Sequence, residues 1–197
     1  MSDLEVFMKR LSEHNKWLDM KPDGVRLEIS GLNLSGIDLI GALLTEAMLR
    51  DICFKGSVLT GANLSGADLT GSDLSDCNLS GANLSKAILY KTRLSNSNMN
   101  NIKALRCDFS YSLMNNTSLY NADCEGSLFV YSDLRYADGR KGNFKKTTFE
   151  GAGIYAFNLR DASIDPIKGQ LVDFSPDFNG TDMGPIERIL FPTKRLF

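Results

Sequence analysis

Along most of this chain the hydrophobic positions recur every five residues, a spacing that matches neither an α-helix at 3.6 nor a strand at 2. The apolar centre begins at Ile29 and returns at Leu34, Leu39, Leu44, Leu49, Phe54, Leu59, Leu64, Leu69, Leu74, Leu79, Leu84, Leu89, Leu94 and Met99. After a weak centre at Ala104 it resumes at Phe109, Met114, Leu119, Cys124, Phe129 and Leu134. After Gly139 it continues at Phe144, Phe149, Ile154, Leu159 and Ile164, with Gly169 and Phe174 closing the series. These thirty centres never slip in frame, so no excursion loop of irregular length is expected. Two residues before most centres stands a small residue, as at Ala62, Ala67, Ser72, Cys77 and Ala82. Asp or Asn often comes immediately before the centre, and Ser or Thr and then Gly often follow it. The pattern predicts a short extended edge with one large and one small residue facing inward, closed by a corner of turn formers. The Gly and Asn content excludes amphipathic helices here. A lone edge buries almost nothing, so edges must stack coil upon coil to build a core.

The two ends read differently. Ser2-Asp3-Leu4-Glu5 is a capping box, and Leu4, Phe7, Met8, Leu11 and Leu18 recur at helical spacing. A helix over residues 2–19 would lay this stripe across the first coil and hide an open sheet edge. Pro22-Asp23-Gly24 then turns the chain into the rod. After Phe174 the frame dissolves through Pro176, Asn179-Gly180 and Gly184-Pro185 into a short apolar element, Ile186, Ile189, Leu190 and Phe191. That element reads either as a C-terminal cap or as a dimer contact. The expected organisation is therefore a cap and turn over 1–24, a repeat rod over 25–176, and a terminal cap or dimer contact over 177–197.

At Ala62-Asn63-Leu64-Ser65-Gly66, Ala67-Asp68-Leu69-Thr70-Gly71 and Ala82-Asn83-Leu84 the pattern is undegraded, and it resembles the pentapeptide-repeat family over about three quarters of the chain. The resemblance implies an all-β fold, a right-handed quadrilateral parallel β-helix with four pentapeptides per coil, the centre and the small residue inside and the other three outside. The helical leader is similar to the short N-terminal capping α-helix of small stand-alone bacterial and phage members. Thirty centres would give seven and a half coils, a rod about 36 Å long at the spacing of stacked strands. The family resemblance also implies a role for some members as DNA mimics that bind type II topoisomerases, DNA gyrase above all, giving tolerance to quinolones or peptide inhibitors. In the quinolone-resistance branch the C-terminal end makes a homodimer.

Composition narrows the chemistry. No apolar run approaches the roughly 20 residues that span a bilayer, and no basic-then-apolar leader is present, so the chain is expected to be cytoplasmic; export as an effector has no readable signal. Of the four cysteines, Cys77, Cys107 and Cys124 fall at inward positions and Cys53 does not; with no CxxC pair they read as small core residues, and no metal or cofactor is expected. The one histidine, His14, lies on the predicted cap, where solvation or cap packing outweighs acid–base chemistry. The Ser and Asp residues belong to the repeat, and no phosphate loop appears. The chain is read as a non-enzymatic interaction module.

Function then lies on the outer faces. Residues twenty apart should stack, and the column centred on Leu49, Leu69, Leu89, Phe109, Phe129 and Phe149 collects the apolar exceptions to the polar rule. They are Met48, Ile88, Tyr90, Tyr111, Leu128, Val130, Tyr131 and Leu171. Tyr111 and Tyr131 should stack directly, with Lys91 one coil below. Such a face is either a partner surface or a self-packing ladder between coils. Charge is uneven as well: residues 1–28, 29–84, 85–146 and 147–197 carry net −1, −4, +5 and −2, consistent with −2 overall. Lys86, Lys103, Arg106, Lys145 and Lys146 fall on the neighbouring column, interrupted by Glu125. The modest net charge argues for a solvated basic face over direct nucleic-acid binding, and an acidic protein is the other occupant it would suit. It also dilutes the acid that a DNA mimic needs.

Overall fold

The computed structural model describes residues 1–165. The apolar element at Ile186, Ile189, Leu190 and Phe191, Leu171, and the end of the frame at Phe174 lie outside the described residues.

Every corner of the repeat is built the same way. The second residue after each centre, from Gly31 to Asp161, has a positive φ between 53° and 73°. In most corners the amide of the third residue after the centre donates to the centre's carbonyl, as Ala62 N–H does to Leu59 at 3.0 Å. A positive φ at the third turn residue alone is the geometry of a type II turn. The Asp or Asn before the centre serves the same corner. The side-chain oxygens of Asn63, Asp68, Asp73, Asn78 and Asn83 each accept the amide two residues on, at 2.9 to 3.2 Å. The repeat's polar letters are thus local turn chemistry.

Four such turns bring the chain back on itself. Parallel bridges join the residue before each centre to the one twenty later, from Asn33 with Cys53 to Asp138 with Asn158. Where pairing extends it forms β1 (Glu28–Ser30) beside β2 (Met48–Arg50), and β3 (Asn143–Phe144) beside β4 (Ser163–Ile164). One coil therefore takes four pentapeptides. The bridges run without interruption through Lys103 and Asp138, so the weak centres at Ala104 and Gly139 break nothing.

The centres and the small residues line one continuous core. In its upper part Phe109, Phe129 and Phe149 stack with centroids 4.9 and 5.1 Å apart. Many of the small residues do more than save space. Ser72 accepts the Ile52 amide at 3.0 Å and donates to the Leu49 carbonyl at 2.7 Å, and Ser57 and Ser127 bridge their own pairs in the same way. Cys77 and Cys107 donate to the carbonyls of Phe54 and Leu84. Burial pushes the Cys77 thiol up to about 11 and Cys107 up to about 12, and drives Cys124 upward too, so none offers a thiolate. Cys53 is partly exposed; all four are free.

Helix α1 (Asp3–Leu18) closes the first coil, and its capping box forms as expected between Ser2 and Glu5. The docked stripe is narrower than the sequence suggests. Phe7 and His14 are buried and Leu11 is partly so, whereas Leu4 and Met8 stay half exposed. The reason is that residues 7, 11 and 14 share one line of the helix surface, and residues 4 and 8 stand to one side of it. Three hydrogen bonds fix the dock: Asn33 N–H to the Asp3 carboxylate (2.7 Å), Val25 N–H to the Glu13 carbonyl (3.1 Å) and Leu27 N–H to His14 Nδ1 (3.1 Å).

His14 is thus a cap residue that must stay neutral. Burial holds its imidazole below the ordinary 6.5; the Thr45 carbonyl opposes this only in part, and the Arg26 charge adds to it. A protonated ring has no lone pair for Leu27. Because the folded-state value is depressed, the contribution is fully present above pH 6.5 and is lost as pH falls from there through the folded value. Urea midpoints measured between pH 7.5 and 5 should fall with pH, and His14→Gln, whose carbonyl can accept the same amide without titrating, should flatten the slope. An equal slope in that variant would remove His14 as its source.

Candidate functional site

The frame lays out one side of the rod between two corners. Residues 86, 106, 126 and 146 form one corner, residues 91, 111, 131 and 151 the next, and Ile88, Asp108, Leu128 and Thr148 run up the middle, bridged in that order. Ile88 and Leu128 are each 41% exposed. They replace the Asp or Asn that elsewhere accepts the following amide, as Asp108 still does for Ser110 at 2.9 Å. Losing such an acceptor forfeits about 0.5–1.5 kcal/mol, and Asp108 separates the two aliphatic residues so that they do not stack on each other.

The second corner carries the aromatic stack. Tyr90 meets Tyr111 edge-on at 5.4 Å, and Tyr111 stacks on Tyr131 at 5.2 Å. Lys91 Nζ lies 5.2 Å from the Tyr90 ring. Above, Tyr131 covers Gly151 so closely that a β-carbon there would come within 2.3 Å of the ring. The ladder packs on itself, yet Tyr111 and Tyr131 remain 46% and 53% exposed. Val130 is half-buried beside it. The rings thus form the self-packing ladder and keep exposed area as well.

The first corner carries the basic residues. Lys86, Lys103, Arg106 and Lys146 line an open groove of about 460 Å³ together with Glu125 and Gly126. Lys145 does not line it. Lys146 pairs with Glu125 at 2.7 Å, which holds the Glu125 carboxyl below its usual range. Among the described residues, Lys86, Lys103 and Arg106 make no ion pair. Gly126 lets the Arg106 side chain pack against the corner above it: a β-carbon there would lie 3.3 Å from Arg106 Cγ.

The left-handed corners sharpen the contrast. Glycine fills ten of them, but from 86 to 146 the glycine at 126 is alone. Asn96, Asn101, Asn116 and Asn121 tolerate that conformation; Lys86, Lys91, Arg106, Tyr111, Tyr131, Tyr136, Lys141 and Lys146 adopt it at about 1–2 kcal/mol each. Bulky cations and aromatics are therefore held where the turn itself would prefer glycine.

Column counting missed the next face, because a corner belongs to two sides. Leu113 is exposed just beyond Tyr111, and Tyr136 pairs edge-on with Tyr155 at 5.4 Å. The missing Asp or Asn before Met114 was the available signal. Acid in the lower coils is partly consumed, with Arg50 on Asp68 (2.6 Å), Arg93 on Asp73 (3.5 Å) and Lys55 near Asp76 (3.8 Å). Burial alone would raise the Asp68 carboxyl, but hydrogen bonds from Thr70 and Arg50 outweigh it and hold it low. Among the described residues no group of His, Cys, Asp and Glu suits a metal ion, and no helix is long and apolar enough to cross a membrane.

The sequence profile of pentapeptide repeats matches residues 29–61, 62–101 and 117–152, with eight copies. No curated protein matches the chain. Among solved structures, a pentapeptide repeat protein from the Arabidopsis thaliana thylakoid lumen is 36% identical, with 55% of this chain and 69% of that one covered and a TM-score of 0.39. The pentapeptide repeat protein Rfr23 from the cyanobacterium Cyanothece is 19% identical over 74% and 90%, TM-score 0.44. A form of QnrB1, a plasmid-mediated fluoroquinolone resistance protein, is 17% identical over 72% and 86%, TM-score 0.35.

Proposed function

Because this chain belongs to the pentapeptide-repeat family, whose fold is a right-handed β-helix and whose members are structural or interaction modules, we propose that it is a non-enzymatic protein-interaction rod. Its docking surface is the side bearing Ile88 and Leu128 with the tyrosine stack along its edge. One observation carries the reading: two aliphatic residues, 41% exposed, stand where the repeat's own turn chemistry calls for Asp or Asn. Exposed apolar area next to rigid aromatic side chains is what binding surfaces offer a partner.

A benzophenone side chain placed at position 128 tests this in the native cells. A discrete crosslinked species is expected from 128, lost in the Tyr111→Ser/Tyr131→Ser background, and absent from position 98 on the opposite side. Equal patterns from 128 and 98 would remove the reading.

Binding of DNA gyrase by charge mimicry is the alternative. The net −4 of residues 29–84 favours it, but Asp68 and Asp73 are already paired. Inhibition of gyrase supercoiling, or protection from a quinolone, by the purified protein would promote it.

A further inference from the structure

The docking side has a different chemistry along each edge, and the edges together describe a partner. Along one corner lie Lys86, Arg106 and Lys146, with Lys103 reaching into the same groove; along the other lie Tyr111 and Tyr131; between them lie Ile88 and Leu128. We infer that the partner segment is acidic and amphipathic, seating carboxylates in the groove at Lys86, Lys103 and Arg106 while its apolar side chains cover Ile88, Leu128 and the tyrosine rings. The inference rests on the reading of this side as a docking surface and adds what that surface selects.

Charge complementarity is the ground for it. Three of the four cations in the groove have no ionic partner among the described residues, whereas most cations of the lower coils are paired. Glu125 shows how an acid seats there: its carboxylate accepts Lys146 Nζ at 2.7 Å and Asn143 Nδ2 at 3.3 Å. Two acids also bound the site. Asp123 accepts from Asn143 at 2.9 Å, and Asp165 accepts the Lys146 amide at 2.7 Å, so the free positive field lies toward Lys86 and Arg106 and away from Lys146. From Lys86 to Lys146 is three coils, about 14 Å at the spacing of stacked strands, the reach of four to five extended residues. Nucleic acid would satisfy the cations equally well but leave the exposed aliphatic and aromatic half of the surface unmatched.

The test is selection of a random dodecapeptide display library on the full-length protein, with counter-selection on Lys86→Glu/Arg106→Glu. These residues are at the surface, and an unchanged melting temperature verifies that the variant folds. Enriched peptides should combine Asp or Glu with Leu, Phe or Tyr. A selected peptide, labelled for fluorescence anisotropy, should bind about tenfold more weakly to the charge-reversed variant and more weakly in high salt. Glu125→Gln should bind it more tightly, because Lys146 is then released to the ligand. Enrichment of peptides without excess acid, or affinity indifferent to the charge reversal, would overturn the inference while leaving the docking side intact. Binding of a labelled twelve-base-pair DNA that the charge reversal abolishes, with no acidic peptide selected, would overturn it in favour of nucleic acid. Loss of crosslinking at position 128 would instead sink the docking surface itself.

Discussion

Phe129→Ala is expected to destabilise the protein by about 3–5 kcal/mol, a large fraction of the roughly 5–15 kcal/mol a domain has to lose. The ring is fully buried between Phe109 and Phe149 at 4.9 and 5.1 Å, with Phe144 at 6.2 Å. Truncation removes both stacking partners at once and leaves a void that the flanking coils cannot close, because their spacing is fixed by the bridges at Leu128 and on every other side. In a solenoid each coil is stabilised only by its neighbours, so the damage should also uncouple the coils above from those below. Urea unfolding should show a lower midpoint and a shallower or two-step transition. Leu128→Ser, one residue away but facing out, should shift the midpoint by no more than about 0.5 kcal/mol. If the two variants behaved alike, the aromatic core would not be what holds these coils together.

Gly139→Leu is the second large effect, and it should be reversible by a second substitution. Position 139 is a centre, where the frame elsewhere puts Leu, Phe or Met, but a β-carbon there would lie 2.7 Å from Phe157 Cε2, 2.9 Å from its Cζ and 3.0 Å from Leu159 Cδ2. Phe157 in turn occupies a position that usually takes Ala, Ser, Cys or Thr, and it packs edge-on against Phe144 at 5.8 Å. Large and small have exchanged places between adjacent coils. Gly139→Leu alone should overpack the site at about 1–3 kcal/mol or more, and Phe157→Ala alone should open a cavity at about 3–5 kcal/mol. Combined, they restore the ordinary pattern, and the double variant should be more stable than the sum of the two by about 2 kcal/mol. Additive effects would mean that the two sites do not share one space.

These cases show how far a one-dimensional reading reaches. The exchange at Gly139 and Phe157 was legible, because with a fixed frame a missing ring and an extra ring one coil apart must be compared. The tyrosine column was legible for the same reason, since Tyr111 and Tyr131 are twenty apart. The neighbouring exposed Leu113 was marked only by the missing Asp or Asn before Met114, and assigning each residue to one column hides the fact that the corner at Tyr136 faces two ways. The basic column was legible as a list of residues but not as a site. That Lys146 is engaged by Glu125 while Lys86, Lys103 and Arg106 are not depends on side-chain torsions that periodicity does not constrain.

The sequence by itself determined the backbone. An apolar centre, a small partner, an Asx acceptor and a left-handed corner repeat every five residues, and the last two act within their own turn, so that signal is local and survives reading in one dimension. It also determined the capping box of α1, whose two hydrogen bonds span three residues. Only the tertiary structure decided which stripe of α1 docks, that His14 is buried against the Leu27 amide, and that serine and cysteine inside the rod bond carbonyls and amides a coil away. It alone also decided which charges of the outer faces remain unpaired. Those outcomes depend on partners about twenty residues distant or on an adjoining element, where a few tenths of an ångström and one rotamer choose between a hydrogen bond and none.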